Sequence, residues 1–160
     1  MKESCKGFSL IELLIVVAII LVIAAIAIPN LLRSRIAANQ ASAVGSLRTL
    51  NTAEVAYSST YNVGFTRTLG YLAPPAAGAN PTSTVSGMID SVLGAGTKSG
   101  YSFTYSPGAI DPTGRINNYS IIAVPITSST GTNYYYTDQS AVMRQNSTTT
   151  AGSTDSPIGG

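Results

Sequence analysis

From Leu13 to Ile28 the chain runs sixteen residues without a polar side chain, and extending back to Phe8 gives 21 residues whose only polar members are Ser9 and Glu12. About 20 such residues are what a helix needs to cross a bilayer core. The run is apolar on every face, so it must lie in lipid or be enclosed by other protein; a chain of 160 residues is too short to surround it. The segment therefore reads as a membrane-inserted helix. After Pro29 the pattern becomes amphipathic, with Ile36, Ala43, Val44, Leu47, Leu50 and Tyr57 recurring at intervals of three, four and seven. Asn39, Gln40, Arg48 and Glu54 are assigned to the remaining, polar faces, and Asn62-Val63-Gly64 supplies an ending. If Pro29 only kinks the rod, Phe8 to about Ser59 is one helix about 75–80 Å long at 1.5 Å per residue.

Thr66 to Thr82, with Leu72-Ala73-Pro74-Pro75-Ala76-Ala77-Gly78 at its centre, reads as a surface loop. Val85, Met88, Ile89, Val92 and Leu93 then predict a short helix, started by Ser83 or Thr84, ended by Gly94, and using Met88 as core. Beyond Gly100 the period switches to two. Tyr101, Phe103 and Tyr105 alternate with Ser102 and Thr104, so this is a strand with an aromatic face; Tyr119 to Ile126, Tyr134 to Thr137 and Ala141 to Arg144 follow as three more. Short connections imply an antiparallel meander, with Pro125 at an edge or strand end. In Tyr134-Tyr135-Tyr136 the outer two are expected to pack inward and the middle one to be exposed. From Gln145 onward the chain is mostly Ser, Thr, Gly and Pro with almost nothing apolar, read as a mobile polar tail.

Composition narrows the chemistry. The chain has no His, which removes Ser-His and Cys-His nucleophilic sites and most zinc or copper sites. A single cysteine, Cys5, allows no intrachain disulfide. The net charge is +2, and from Gly45 onward five Arg and Lys balance five Asp and Glu, leaving no basic footprint for nucleic acid. Asp111 and Asp138 are too few to ligate calcium alone. Asn118-Tyr119-Ser120 and Asn146-Ser147-Thr148 fit the N-glycosylation pattern but read as turn chemistry. The expectation is a chain without catalysis, metal, cofactor or small-molecule substrate. A cleaved secretory signal is one alternative, with Lys2 and Lys6 as its basic start and Ala25-Ile26-Ala27 as its cleavage site; it would leave Ile28-Pro29 at the new terminus.

Lys6-Gly7-Phe8-Ser9-Leu10-Ile11-Glu12, followed by an apolar run ending at Pro29, resembles the prepilin signal of the type IV pilin family, which includes type II secretion pseudopilins. The resemblance implies cleavage between Gly7 and Phe8 on the cytoplasmic side by a membrane prepilin peptidase, N-methylation of Phe8, and assembly into a homopolymeric filament through Phe8 and Glu12. Membrane lipid before assembly and a pilus or secretion assembly platform are the further partners it implies. It places the precursor in a bacterial inner membrane and the product in a periplasmic or cell-surface filament. Its layout is α+β and pilin-like: a leader over 1–7, a transmembrane or filament-core helix half over 8–32, an amphipathic half over 33–62, a head with a short helix and small antiparallel sheet over 63–144, and a tail over 145–160. The Tyr136-Thr137-Asp138-Gln139-Ser140-Ala141-Val142-Met143-Arg144 stretch resembles the last hairpin of cysteine-free pilins. The chain lacks the cysteine pair of many pilins and the acidic calcium loop of major pseudopilins, so a pilus subunit ranks above a pseudopilin. The rival from another class is an exported domain tethered by its amino-terminal helix.

Glu12 is the one ionisable side chain in the span. A carboxylate there costs about 2.5–3.5 kcal/mol on insertion scales, while an amine about 4 Å away returns roughly 4 kcal/mol at an effective dielectric of 20. Cleavage before Phe8 would create such an amine. Its interval of four residues also permits pairing within one chain, so a neighbour's amine wins only where packing excludes water. Lys2 and Lys6 precede the span and Arg33 and Arg35 follow it, so charge does not orient the helix.

Overall fold

The computed structural model describes residues 7–158. Helix α1 spans Leu10–Tyr61 and its assignment passes through Pro29 without a break. The chain divides after Arg35 into two compact units. In the first, nothing covers the aliphatic side chains: Leu10, Ile20 and Leu31 are 80%, 57% and 71% exposed. In the second, Ala43, Leu47, Leu50, Ala53 and Tyr57 are buried along one face of α1. That stripe has the spacing of a helix packed on one side. Glu54, expected on a polar face, belongs to it and is fully buried.

The expected ending holds. Asn62 (φ 56°) and Gly64 (φ 80°) turn left-handed, and a Cβ on Gly64 would lie 2.2 Å from the Ile116 carbonyl oxygen. Close backbone approach fixes glycine there. The following segment is more ordered than a surface loop, because a 3-10 turn at Leu69–Leu72 sends both leucines into the core while Pro74 and 76–84 stay exposed.

The short helix shrinks to α2, Ser91–Gly94, capped by Asp90, whose Oδ1 accepts the Leu93 amide at 2.9 Å. Two local features stop it starting earlier. Thr82 and Val85 bond each other in a tight turn, and Gly87 has a φ of 70°. The amides of Ser86, Gly87 and Met88 go instead to the carbonyls of Tyr71, Ala73 and Leu72. Ile89 and Leu93 are buried and Met88 packs against the core, as the spacing predicts, but Val92 is 55% exposed.

Five antiparallel strands follow in meander order: β1 (Thr97–Lys98), β2 (Tyr101–Pro107), β3 (Tyr119–Pro125), β4 (Tyr134–Asp138) and β5 (Arg144–Asn146). The two-residue β1 has no sequence signal. Pro125 ends β3, where its missing amide costs little. The last strand starts later than Ala141, because the Asp138 carboxylate accepts the Ser140 amide and hydroxyl and Ala141 takes a φ of 59°, lengthening the turn.

In the tyrosine triplet the parity is the reverse of the expectation: Tyr135 is buried, and Tyr134 and Tyr136 are half-exposed. Strand register explains this. Phe103, Ala123 and Tyr135 form one row across the sheet, and Tyr105, Ile121 and Thr137 the next, all on the face carrying the core. Ala123 leaves a notch between two aromatic rings. Buried polar pairs tie α1 to this face: Asn51 Nδ2 donates to Thr137 Oγ1 at 2.8 Å, and Tyr119 donates its hydroxyl to Asn51 Oδ1 at 3.0 Å.

Beyond β5 the chain turns back. Gln145 N donates to Ser156 O, Ile158 N to Met143 O and Arg144 to Asp155 O, and Ala151 is buried. The row assignment is checked by denaturant unfolding: Tyr135→Ala should lose about 3–5 kcal/mol, as large-to-small core changes do, whereas Tyr134→Ala should lose under about 1 kcal/mol.

Candidate functional site

The candidate site is the start of α1. Ser9 O accepts the amides of Glu12 at 3.1 Å and Leu13 at 3.2 Å, and Ser9 N donates to Glu12 Oε2 at 2.9 Å. Ser9-x-x-Glu12 is the spacing of a capping box, in which a carboxylate three residues into the helix satisfies the amide of the cap residue. The sequence reading valued Glu12 only as a counter-charge; this signal, legible in the spacing, assigns it a second role. Glu12 is thus already engaged within its own chain.

Gly7 and Phe8 precede the cap. Phe8 is 80% exposed, and a Cβ added to Gly7 would meet nothing within 4 Å, so the Gly7-Phe8 peptide bond lies on accessible backbone. Glu12 lies four residues after Phe8, and Pro29 lies 17 residues beyond Glu12, inside the helix. Having no amide hydrogen, Pro29 removes the bond that would run to the Ala25 carbonyl. Residues 1–6, which carry the basic leader and Cys5, lie outside the described residues. The helix is long and apolar enough to cross a membrane.

The other acidic candidates are used locally. Asp111 Oδ1 accepts from Thr113 N, Thr113 Oγ1 and Arg115 N, and Oδ2 accepts from Asn117. The Thr113 hydroxyl leads these donors in holding the carboxyl well below the ordinary range. Such a carboxylate is saturated by its own loop. Among the described residues no three potential metal ligands gather.

Residues 3–28 match the family model of the prokaryotic N-terminal methylation motif. The chain carries a prokaryotic N-terminal methylation motif. The prepilin motif covers Gly7, Phe8, Glu12 and the apolar run to Ile28. The chain is similar to the type IV major pilin protein PilA of Myxococcus xanthus, 48% identical over 54 residues, 34% of this chain and 24% of the relative. It is also similar to the type IV wide pilus major component PilA4 of Thermus thermophilus, 62% identical over 37 residues, 23% of this chain and 28% of the relative. The chain thus spans about a quarter of the length of these curated relatives. No solved structure is significantly similar. The five-stranded sheet against the second half of α1 is a pilin-like α+β architecture.

With its own core complete in the second unit, the chain should owe its need for detergent to the apolar run alone. Deleting residues 1–29 should yield protein that stays in solution after ultracentrifugation without detergent, while the full chain sediments; a deletion product that aggregates would place further lipid-facing surface elsewhere.

Proposed function

We propose that the chain is a structural subunit of a type IV pilus-like filament, made as a membrane-inserted prepilin, cleaved between Gly7 and Phe8, N-methylated at Phe8 and assembled through α1. One observation carries this reading: a prepilin-type motif opens α1, whose first half leaves its apolar side chains uncovered and holds one carboxylate, a turn from the proposed terminus. In lipid that helix is solvated before assembly; in a filament, copies of itself replace lipid. The chain needs no chemistry of its own for this. Cleavage by the prepilin peptidase supplies the amine of Phe8, and that amine competes with the Ser9 amide for Glu12.

Exchange of partners decides assembly. In the precursor Glu12 caps α1; in the filament it faces a neighbour's amine in a water-poor core, where losing one member of a charge pair typically costs about 3–5 kcal/mol. Pro29 has a separate role in this reading: the missing hydrogen bond makes it the point where the helix can stretch, so Pro29→Ala should yield stiffer filaments under pulling. Mechanical shearing of intact cells separates the proposal from its rival, since filament subunits come off as polymers and a tethered domain stays with the membrane.

The processed chain should begin at methylated Phe8, as read by intact mass; a terminus at Ile28 would instead support a cleaved secretory signal. Glu12→Leu should insert and be processed normally, yet sheared polymer from mutant subunits alone should fall at least tenfold. Glu12→Gln, which can still accept hydrogen bonds but cannot neutralise an amine, should lie between. Abundant polymer from Glu12→Leu subunits would remove Glu12 from assembly.

A further inference from the structure

Glu54 is the buried ionisable group that filament assembly leaves without a task. It lies on the face of α1 that packs against the sheet and is fully buried. Its Oε2 accepts the Thr66 amide at 2.9 Å and its Oε1 the Thr66 hydroxyl. From the other side, Tyr105 on β2 donates its hydroxyl to Thr66 O at 2.8 Å. Residue 66, itself fully buried, is therefore clamped between α1 and the sheet through both its backbone and its side chain.

The groups facing Glu54 are phenols: Tyr57 from α1, Tyr105 from β2 and Tyr119 from β3 all feel its charge. Among the described residues no Lys or Arg stands at ion-pair distance from it. A buried carboxylate without a cation is costly, because two hydrogen bonds from one threonine replace only part of its hydration. Burial accordingly pushes the Glu54 carboxyl up from its ordinary value, and the Thr66 bonds only partly offset this. The hydroxyl of Thr66 can donate to the carboxylate or accept from the carboxylic acid, so the clamp survives in either state but at different strength.

We propose that Glu54 is a proton-operated latch: as a neutral acid it is buried between α1 and the sheet at little cost, whereas ionisation puts a charge into a fully buried place that no cation faces and loosens the packing of α1 on the sheet, even though the Thr66 bonds themselves favour the charge. The absence of His from the sequence makes the latch unusually clean. The other carboxyls of the second unit are aspartates, at 90, 111, 138 and 155, and those of Asp90 and Asp111 are lowered, Asp90 chiefly by Lys98 and Asp111 chiefly by Thr113. Their contribution to stability is present above the ordinary value of 3.8 and is lost only in stronger acid. Glu54 has the opposite sign. Its raised folded value makes stability greatest below 4.5, the ordinary value, and progressively lost as pH rises through the folded one. Glu54 therefore opposes Asp90 and Asp111 in the sign of its pH dependence.

Thermal unfolding of the full chain in detergent micelles, followed by the near-ultraviolet circular dichroism of its tyrosines, tests this. The wild-type midpoint should fall with rising pH, by roughly 5 °C for each pH unit separating the folded and unfolded values. Glu54→Gln should flatten the profile. A flat wild-type profile, or a Glu54→Gln profile as steep as wild type, would overturn the latch. Should Glu54→Gln not fold, a chain with Glu3→Gln and Glu12→Gln, in which Glu54 is the remaining glutamate, decides by infrared titration: a carboxylic acid carbonyl band that converts to carboxylate only above 4.5, the ordinary value, supports the latch, and conversion at or below it overturns it. The readout concerns the second unit alone, so it stands or falls independently of filament assembly.

Discussion

One helix has to satisfy two surroundings, and that constraint organises the chain. From Leu13 to Ile28, α1 offers aliphatic side chains on all sides, and its own chain leaves them uncovered. From Ile36 it offers one apolar face, which its own sheet covers. The sheet is built to that face: Tyr101, Phe103, Ile121 and Tyr135 present bulk, and Ala123 the notch between rings. The polar bonds of Asn51, Thr137 and Tyr119 then fix where along the helix the sheet sits, since apolar contact alone is non-directional.

The two acidic residues of α1 show how much position matters. Glu12 and Glu54 both accept a backbone amide, from Ser9 and Thr66 respectively. Glu12 sits at the first turn, where a carboxylate favourably opposes the helix dipole and can change partners. Glu54 sits mid-face under a sheet, where no new partner can reach it. In the functions proposed above, the first exchanges partners between chains and the second senses protons within one.

Long-range periodicity was legible and local turn chemistry was not. The apolar run, the amphipathic half and its ending at Asn62-Val63-Gly64 follow from patterns sustained over many residues, as do the meander and Pro125 at the end of β3. Glu54 was misread by its type, although its intervals of seven from Leu47, four from Leu50 and three from Tyr57 put it on the core stripe. The helix expected before Leu93 failed because Gly87 and the Thr82–Val85 turn outweigh five well-spaced apolar residues. Tyrosine parity depended on the conformation between Pro125 and Tyr134, for which the residues carry no period. At the candidate site, Gly7-Phe8 and Glu12 were legible as a compound motif within the span that the methylation motif matches, and the Ser9-x-x-Glu12 cap, present in the spacing, was passed over because Glu12 reads first as a charge in an apolar run.

Neither border of the sheet offers a long free strand of its own. On one side β1 is two residues long, and its Lys98 is drawn into an ion pair with Asp90. On the other, residues 156–158 lie along the outer strand and exchange backbone bonds with Met143 and Gln145. Unpaired strand borders are where β proteins stick to one another in uncontrolled stacks. A short β1 on one side and a returning tail on the other thus leave little strand border for uncontrolled pairing, so that in the proposed filament copies would recognise one another through helices and side chains, not by zipping sheets.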